Sequence, residues 1–279
     1  KNEGKIQGFR ELTVPLILIG LPVIIILKQP DMGTALTFFP ILLSMLYISG
    51  TPSLYIFLLI SPLLSFILYN WFFLWLLYLA LIGGILWWKL PSRIDAIIGW
   101  GINLGTGILG HKLWGLLKYY QKRRILAFLD PELDPLGSGY HLIQSKIAIG
   151  SGGFWGKGYM SGTQTRLNFL PAQHTDFIFS VIGEELGFIG SMFVISAFAL
   201  IILRGTDIAS KAKDLYGILI ATGIISVLSF HILINIGMTI GIMPITGIPL
   251  PFLSYGGSSL LGFMIMTALL INIGMRRFI

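Results

Sequence analysis

The sequence predicts an all-α polytopic integral membrane bundle with about eight spans and a large Gly-rich external loop between the fifth and sixth. Three observations carry this. Hydrophobic residues make up 55% of the 279 positions and charged residues only 11%, too few charges to cover a soluble globule of this size. Apolar runs recur at the length of a spanning helix, about 20 residues. The Lys and Arg residues gather in alternate short connections.

The runs fall at about 12 to 28, 33 to 49, 53 to 69, 71 to 88, 95 to 119, 177 to 203, 215 to 239 and 257 to 275. The fifth is Gly-rich and ends amphipathically in Trp114, Lys118, Tyr119, Tyr120, Lys122, Arg123 and Arg124, a tilted span or a partly interfacial one. The fourth, dense in Trp and Phe, fits a span or a re-entrant segment. One set of connections holds Lys1, Lys5, Arg10, Lys89, Arg93, Arg204, Lys211, Lys213, Arg276 and Arg277, while the short loops of the opposite set hold only Lys28. The positive-inside rule makes the first set cytoplasmic. Both ends are then cytoplasmic, and segments of about 120–176 and 240–256 are external. No short-period repeat interrupts the chain, so residues 1–279 read as one membrane domain.

Composition also excludes functions. Without cysteine there is neither a disulfide framework nor a thiolate metal site. The net charge of +7 sits between apolar runs and forms no block, which argues against nucleic-acid binding. The chain starts at Lys1 and shows no signal peptide, so further sequence is expected before it.

Chemistry concentrates in the external segments. Between Asp130 and Asp176 lie Gly137, Gly139, Gly150, Gly152, Gly153, Gly156, Gly158 and Gly162. Such density predicts a tightly turned loop, and with Arg124, Lys146, Lys157 and Arg166 it suits either a phosphate-bearing ligand or lipid headgroups. Asp176 directly precedes an apolar run. A helix N-terminus at the membrane surface would hold its carboxylate ionised, fit for a general base or a cation ligand, although Thr175 or Asp176 could equally cap the helix. His174 reads as a surface residue. Glu184 and Glu185 lie about two turns further along, where a carboxylate needs a polar cavity, a cationic partner or a proton. Asp31, after Gln29 and before Gly33, reads as a local turn or as a second acid on the same side. The loop from Met243 to Ser259 carries Pro244, Pro249 and Pro251 among apolar residues. Non-helical backbone at that depth must be buried by protein or line a wet cavity.

Taken together, the stretches Gln29 to Thr34, Tyr120 to Pro131 with Arg124, Gly139 to Gly158 with Tyr140, Gln144, Ser145, Lys146 and Ser151, Gly162 to Gly190, and Asn235 to Ser259 resemble the shape, elongation, division and sporulation (SEDS) family. Ile242 to Pro251 is closer to its elongation branch than to its division branch. The resemblance implies a bacterial cytoplasmic-membrane glycosyltransferase that polymerises lipid II on the outer face. It implies a class B penicillin-binding protein as partner. Asp176 matches the family's essential loop aspartate. Gln29, Asp31, Arg124, Gln144, Ser145, Lys146, Lys157, Glu185, Ser254, Tyr255 and Ser258 are the candidate substrate-binding residues, and cationic side chains or a divalent cation would neutralise the leaving pyrophosphate. Two departures stand out. The family usually begins with about four more helices, one bearing a Pro-Ser-Glu motif, and it has one apolar segment where Thr51 to Leu117 here has three. A flippase of lipid-linked precursors and a non-catalytic scaffold for a transpeptidase are the competing functions.

Overall fold

The computed structural model describes residues 8–29, 31–116, 118–133, 137–167, 169–170 and 172–276. Lys1, Lys5 and Arg277 of the cytoplasmic set lie outside the described residues, as do Pro30 and Pro171. Helices α1 (Phe9–Lys28), α2 (Met32–Ile48), α3 (Ser53–Leu68), α4 (Phe72–Lys89) and α5 (Arg93–Leu116) are followed by α6 (Tyr119–Leu129) and a 3₁₀ turn at Pro131–Leu133. Then come α7 (Ser138–Gly152), α8 (Thr163–Arg166), α9 (Ile178–Ser210), α10 (Leu215–Ile240) and α11 (Gly257–Arg276), with no strand among the described residues. The eight apolar runs correspond to α1–α5 and α9–α11. Of these, α1, α4, α9, α10 and α11 are long and apolar enough to cross a bilayer by themselves, and α2 and α3 are shorter apolar helices. This is a multi-pass helical membrane protein.

The chain divides into two compact units. The first comprises residues 1–20 and 46–118, where α3, α4 and α5 pack together. Their contact is polar at its centre. Asn103, fully buried, donates to Ser61 Oγ at 2.9 Å and accepts from Tyr78 at 2.9 Å, and Ser65 donates to the Asn103 carbonyl while accepting from Trp75 Nε1. Each group in this cluster has its partner, so the cluster ties the three helices and leaves no donor for a ligand.

The second unit comprises residues 21–45 and 119–279, and it holds both long connections. The segment expected as a Gly-rich loop is largely helical. Ser138–Gly152 forms four turns of α7, and tight turns occupy residues 153–160 and 172–177. The reason is local: the run from Gly139 to Gly150 is apolar or polar at helical spacing, and α7 buries Leu142, Ser145 and Ala148 against α9 and α10.

Helix α9 breaks at Gly187, where φ is 65° and ψ is −159°. Only glycine adopts such a backbone without strain. Two anchor points show how far the chain turns there. Gly205 of α9 lies against Ile225 of α10, and Asn235 of α10 donates to the Asp176 carbonyl at 2.9 Å. Ile225 and Asn235 are about 15 Å apart along α10, whereas a straight α9 would carry Ile178 about 40 Å from Gly205 at about 1.5 Å per residue. The short arm, 178–186, therefore folds back beside the long arm, 188–210. Phe179 of the short arm shares one core cluster with Phe198 of the long arm, Ile232 and Leu250.

A break in a membrane helix leaves backbone groups that must find partners. Residues 153–158 supply them. The amides of Lys157 and Gly158 donate to the carbonyls of Glu184 and Glu185 at 3.0 Å each, and the carbonyls of Gly153 and Phe154 accept from Phe188 and Ile189 at 3.0 and 3.3 Å. Space is tight enough that a Cβ on Gly156 would stand 2.1 Å from the Glu185 carbonyl oxygen.

Candidate functional site

The fold-back at Gly187 sets the order of the acids along α9, with Glu184 by the turn and Asp176 away from it. Residues 188–203 carry no charge, and Gly187 stands about 26 Å from Arg204, close to the thickness of a hydrocarbon core, about 30 Å. A hydrocarbon core filled by 188–203 would have Gly187 at one edge. Asp176, held beside Asn235 about 15 Å from the level of Gly205, stands about 12 Å from Gly187 along the long arm, while Glu184 sits by the apex.

Three backbone anchors hold the segment around Asp176. Asn235, fully buried in α10, donates through one amide nitrogen to the carbonyls of Asp176 at 2.9 Å and Ile248 at 2.8 Å. The Ser254 hydroxyl donates to the Thr175 carbonyl at 2.6 Å and accepts from the Leu250 amide at 2.8 Å. The Tyr255 amide donates to the His174 carbonyl at 2.8 Å. The residue at the N-cap of α9 is Phe177, and no side chain caps it. The Asp176 carboxylate is left for other work.

That carboxylate faces the loop 243–256. Its Oδ2 lies 3.5 Å from where a Cβ on Gly247 would stand, and Gly247 has φ of +78°. Arg124 of α6 reaches the same turn, donating toward the Thr246 carbonyl at 3.4 Å. Burial pushes the Asp176 carboxyl above the ordinary carboxylate range, and a hydrogen bond with Thr175 and the charge of Arg124 offset part of that rise. The N-terminus of α2 closes on the turn as well, since a Cβ on Gly33 would stand 2.7 Å from the Thr246 oxygen and 3.5 Å from Asp31 Oδ1. Asp31 itself caps α2, accepting from the Thr34 amide at 3.0 Å and the Thr34 hydroxyl at 2.6 Å. Asp176, Arg124, Asp31 and the Thr246–Gly247 turn thus converge. Gln29 is exposed one turn away, its amide bonded to the Ile26 carbonyl.

The remaining candidates separate by environment. Lys146 of α7 lies over Gly241 at the end of α10 and is exposed; Gln144 is half-buried on the same helix. Ser145 is buried, and its hydroxyl is engaged with Ser180 Oγ and the Thr239 carbonyl, both at 2.6 Å. Ser254 is likewise engaged with backbone. Tyr255 and Ser258 are exposed. Lys157 pairs with the fully buried Glu184 at 2.8 Å. The same carboxylate accepts from the Thr163 hydroxyl and Gln164 amide through Oε1, and from the amide and hydroxyl of Thr165 through Oε2. Glu185 is buried beside it. Of the polar cavity, cationic partner or proton expected for Glu184, the structure shows a cationic partner, Lys157. Asn235 was the residue missed: an amide in the middle of an apolar helix is the available signal, because an unpaired one would be costly there. No group of three or more His, Cys, Asp or Glu side chains gathers as a metal site among the described residues.

Comparison with known proteins bears on this arrangement. The family model FTSW_RODA_SPOVE, described as cell cycle protein, matches residues 72–278. The chain is 42% identical over 289 residues to peptidoglycan glycosyltransferase RodA of Treponema pallidum (strain Nichols), covering 92% of this chain and 66% of that protein. It is 38% identical over 251 residues to peptidoglycan glycosyltransferase MrdB of Escherichia coli (strain K12), covering 90% of this chain and 56% of that protein. A chain from a solved structure, described as structural coordination of polymerization and crosslinking by a peptidoglycan synthase complex, superposes with a TM-score of 0.66 at 28% identity. That match covers 99% of this chain and 65% of the other. The chain therefore spans less than two thirds of the length of these relatives.

Proposed function

Because the chain belongs to the FTSW_RODA_SPOVE family, we propose that it is the greater part of a peptidoglycan glycosyltransferase that polymerises lipid II on the outer face of the bacterial cytoplasmic membrane. In this reading residues 1–279 are one membrane domain, with both ends cytoplasmic. The observation that carries the proposal is the convergence of Asp176 and Arg124 on the Thr246–Gly247 turn, within the fold of a family whose similar members are named for this reaction.

The chemistry follows from the placement. The acceptor sugar hydroxyl attacks C1 of the donor and gives its proton to the Asp176 carboxylate. As the new glycosidic bond forms, the bond from C1 to the phosphate oxygen breaks with inversion, and its electron pair leaves with the polyprenyl diphosphate. A carboxyl raised by burial is a better base than an exposed one, provided it is ionised at the working pH. Arg124 and Lys146 are the cations proposed to stabilise the departing diphosphate. Gln144 of α7 and the exposed Gln29, Tyr255 and Ser258 are left as sugar or peptide contacts. Ser145, Ser254, Lys157 and Glu185 move from substrate binding to scaffolding, on the strength of their burial or their partners.

A class B penicillin-binding protein is the proposed partner, supported by the likeness to a chain of a peptidoglycan synthase complex. The break in α9 favours one second reading, a flippase for the same lipid, since interrupted helices line the sites of many transporters. Lipid II polymerisation by the full-length protein and its transpeptidase in proteoliposomes, wild type against Asp176→Asn, decides between them. Glycan strands from the wild type alone support the glycosyltransferase. Precursor translocation without polymer from either protein supports the flippase.

A further inference from the structure

The strip that crosses the apex of α9 has no part in the glycosyl transfer proposed for Asp176, yet it exposes a row of large apolar side chains. Phe154 is 62% exposed, Trp155 80%, Tyr159 76% and Met160 67%. The one cation within the strip, Lys157, turns inward to Glu184. What remains outward is aromatic and uncharged. Such a surface is unfavourable in water and common at one place in membrane proteins, the boundary between headgroups and acyl chains, where Trp and Tyr rings keep an apolar body and a polar edge both satisfied.

The height of the strip is fixed independently of its composition. The four backbone bonds of residues 153–158 run to residues 184 and 185 before Gly187 and to 188 and 189 after it, where the uncharged stretch 188–203 begins. Arg204 closes that stretch about 26 Å away, so the aromatic row stands at the membrane boundary and not above it. Phe188, on the long arm, continues the row, with its ring 5.3 Å from that of Phe154. We infer that residues 154–160 are a lipid anchor, seated in the glycerol and upper acyl region of the leaflet on the side of the α7–α9 connection. The anchor takes phospholipid through its rings and not through charge. Being hydrogen-bonded to the apex, it also sets the depth of the short arm of α9. The consequence for Asp176 rests on the proposed function, whereas the lipid contact does not.

The chain has no cysteine, so single-cysteine variants report single sites. Spin labels at Trp155→Cys and Tyr159→Cys are compared in phosphatidylcholine nanodiscs for collision with oxygen and with a water-soluble nickel chelate. Phe193→Cys, on an exposed position of the long arm, is the hydrocarbon reference. Lys211→Cys, beyond the end of α9, is the aqueous one. The anchor predicts depths intermediate between the two references, unchanged by added salt or by anionic lipid. Labels as open to nickel as Lys211→Cys overturn it and leave the aromatics for a protein partner. Immersion that requires anionic lipid overturns it too, because the contact is then electrostatic. If Trp155→Cys fails to reconstitute, Met160→Cys replaces it in the same comparison.

Discussion

Asn235 holds Asp176 by the backbone and leaves its carboxylate untouched. One amide nitrogen of a residue in the middle of an apolar helix satisfies two carbonyls, from the Asp176 segment and from the loop opposite it. Asn235→Leu would strand both carbonyls, at about 1–3 kcal/mol each. The expected result is a lower unfolding temperature together with a polymerisation rate at least about tenfold down. Equal activity and unchanged melting for Asn235→Leu would show that the packing of the loop holds Asp176 without it.

The Asp176 carboxyl titrates above the ordinary carboxylate range because of burial. A base works only when ionised, so the rate should be full above its pKa and fall as pH drops through it. The acid limb of kcat/KM should lie higher than a solvent-exposed aspartate allows, and Arg124→Gln, by removing a charge that lowers this pKa, should move that limb further up. A limb that stays in place in Arg124→Gln would separate the two groups.

Glu184 accepts five hydrogen bonds while fully buried, and four come from groups other than Lys157. Glu184→Ala leaves two amides and two hydroxyls without their acceptor, at about 1–3 kcal/mol for each buried donor stranded. Lys157→Met should cost clearly less, since Lys157 is partly exposed and its loss leaves the Thr and amide donors on Glu184. Thermal unfolding in one detergent ranks the two, and the opposite order would place the weight on the ion pair.

Gly33 and Gly187 are sites of steric limit. A Cβ on Gly33 meets the Thr246 oxygen at 2.7 Å, and Gly33→Ala should push α2 off the Thr246–Gly247 turn, lowering polymerisation while the protein still folds. Gly187→Ala faces the Gly156 amide nitrogen at 2.3 Å in a backbone region hostile to L side chains, and it should abolish assembly of the α7–α9 region. Protease resistance in membranes separates these outcomes.

Ser145→Ala and Lys146→Ala sort neighbours by role. Ser145 ties α7 to α9 and α10, so its loss should lower stability with a smaller effect on KM. Lys146, exposed above Gly241, should do the reverse. Melting and steady-state kinetics on the same preparations check the pair.

Apolar length and charge asymmetry determined the membrane class, the eight runs and the stretch in which Asp176, Arg124 and the 243–256 loop would be found, because these depend on transfer of side chains from water and are additive along the chain. The reversal at Gly187 was decided by tertiary structure. A glycine within an apolar run reads as a tolerated helix residue, and its left-handed φ is stable only because residues 153–158 supply partners for the broken helix, a pairing about 30 residues distant in sequence. That turn brings Asp176 beside Asn235 and leaves Glu184 by the apex, with Ser145 and Ser254 engaged by backbone carbonyls of other segments. Each of those roles depends on which backbone group lies opposite, and no hydropathy pattern encodes it.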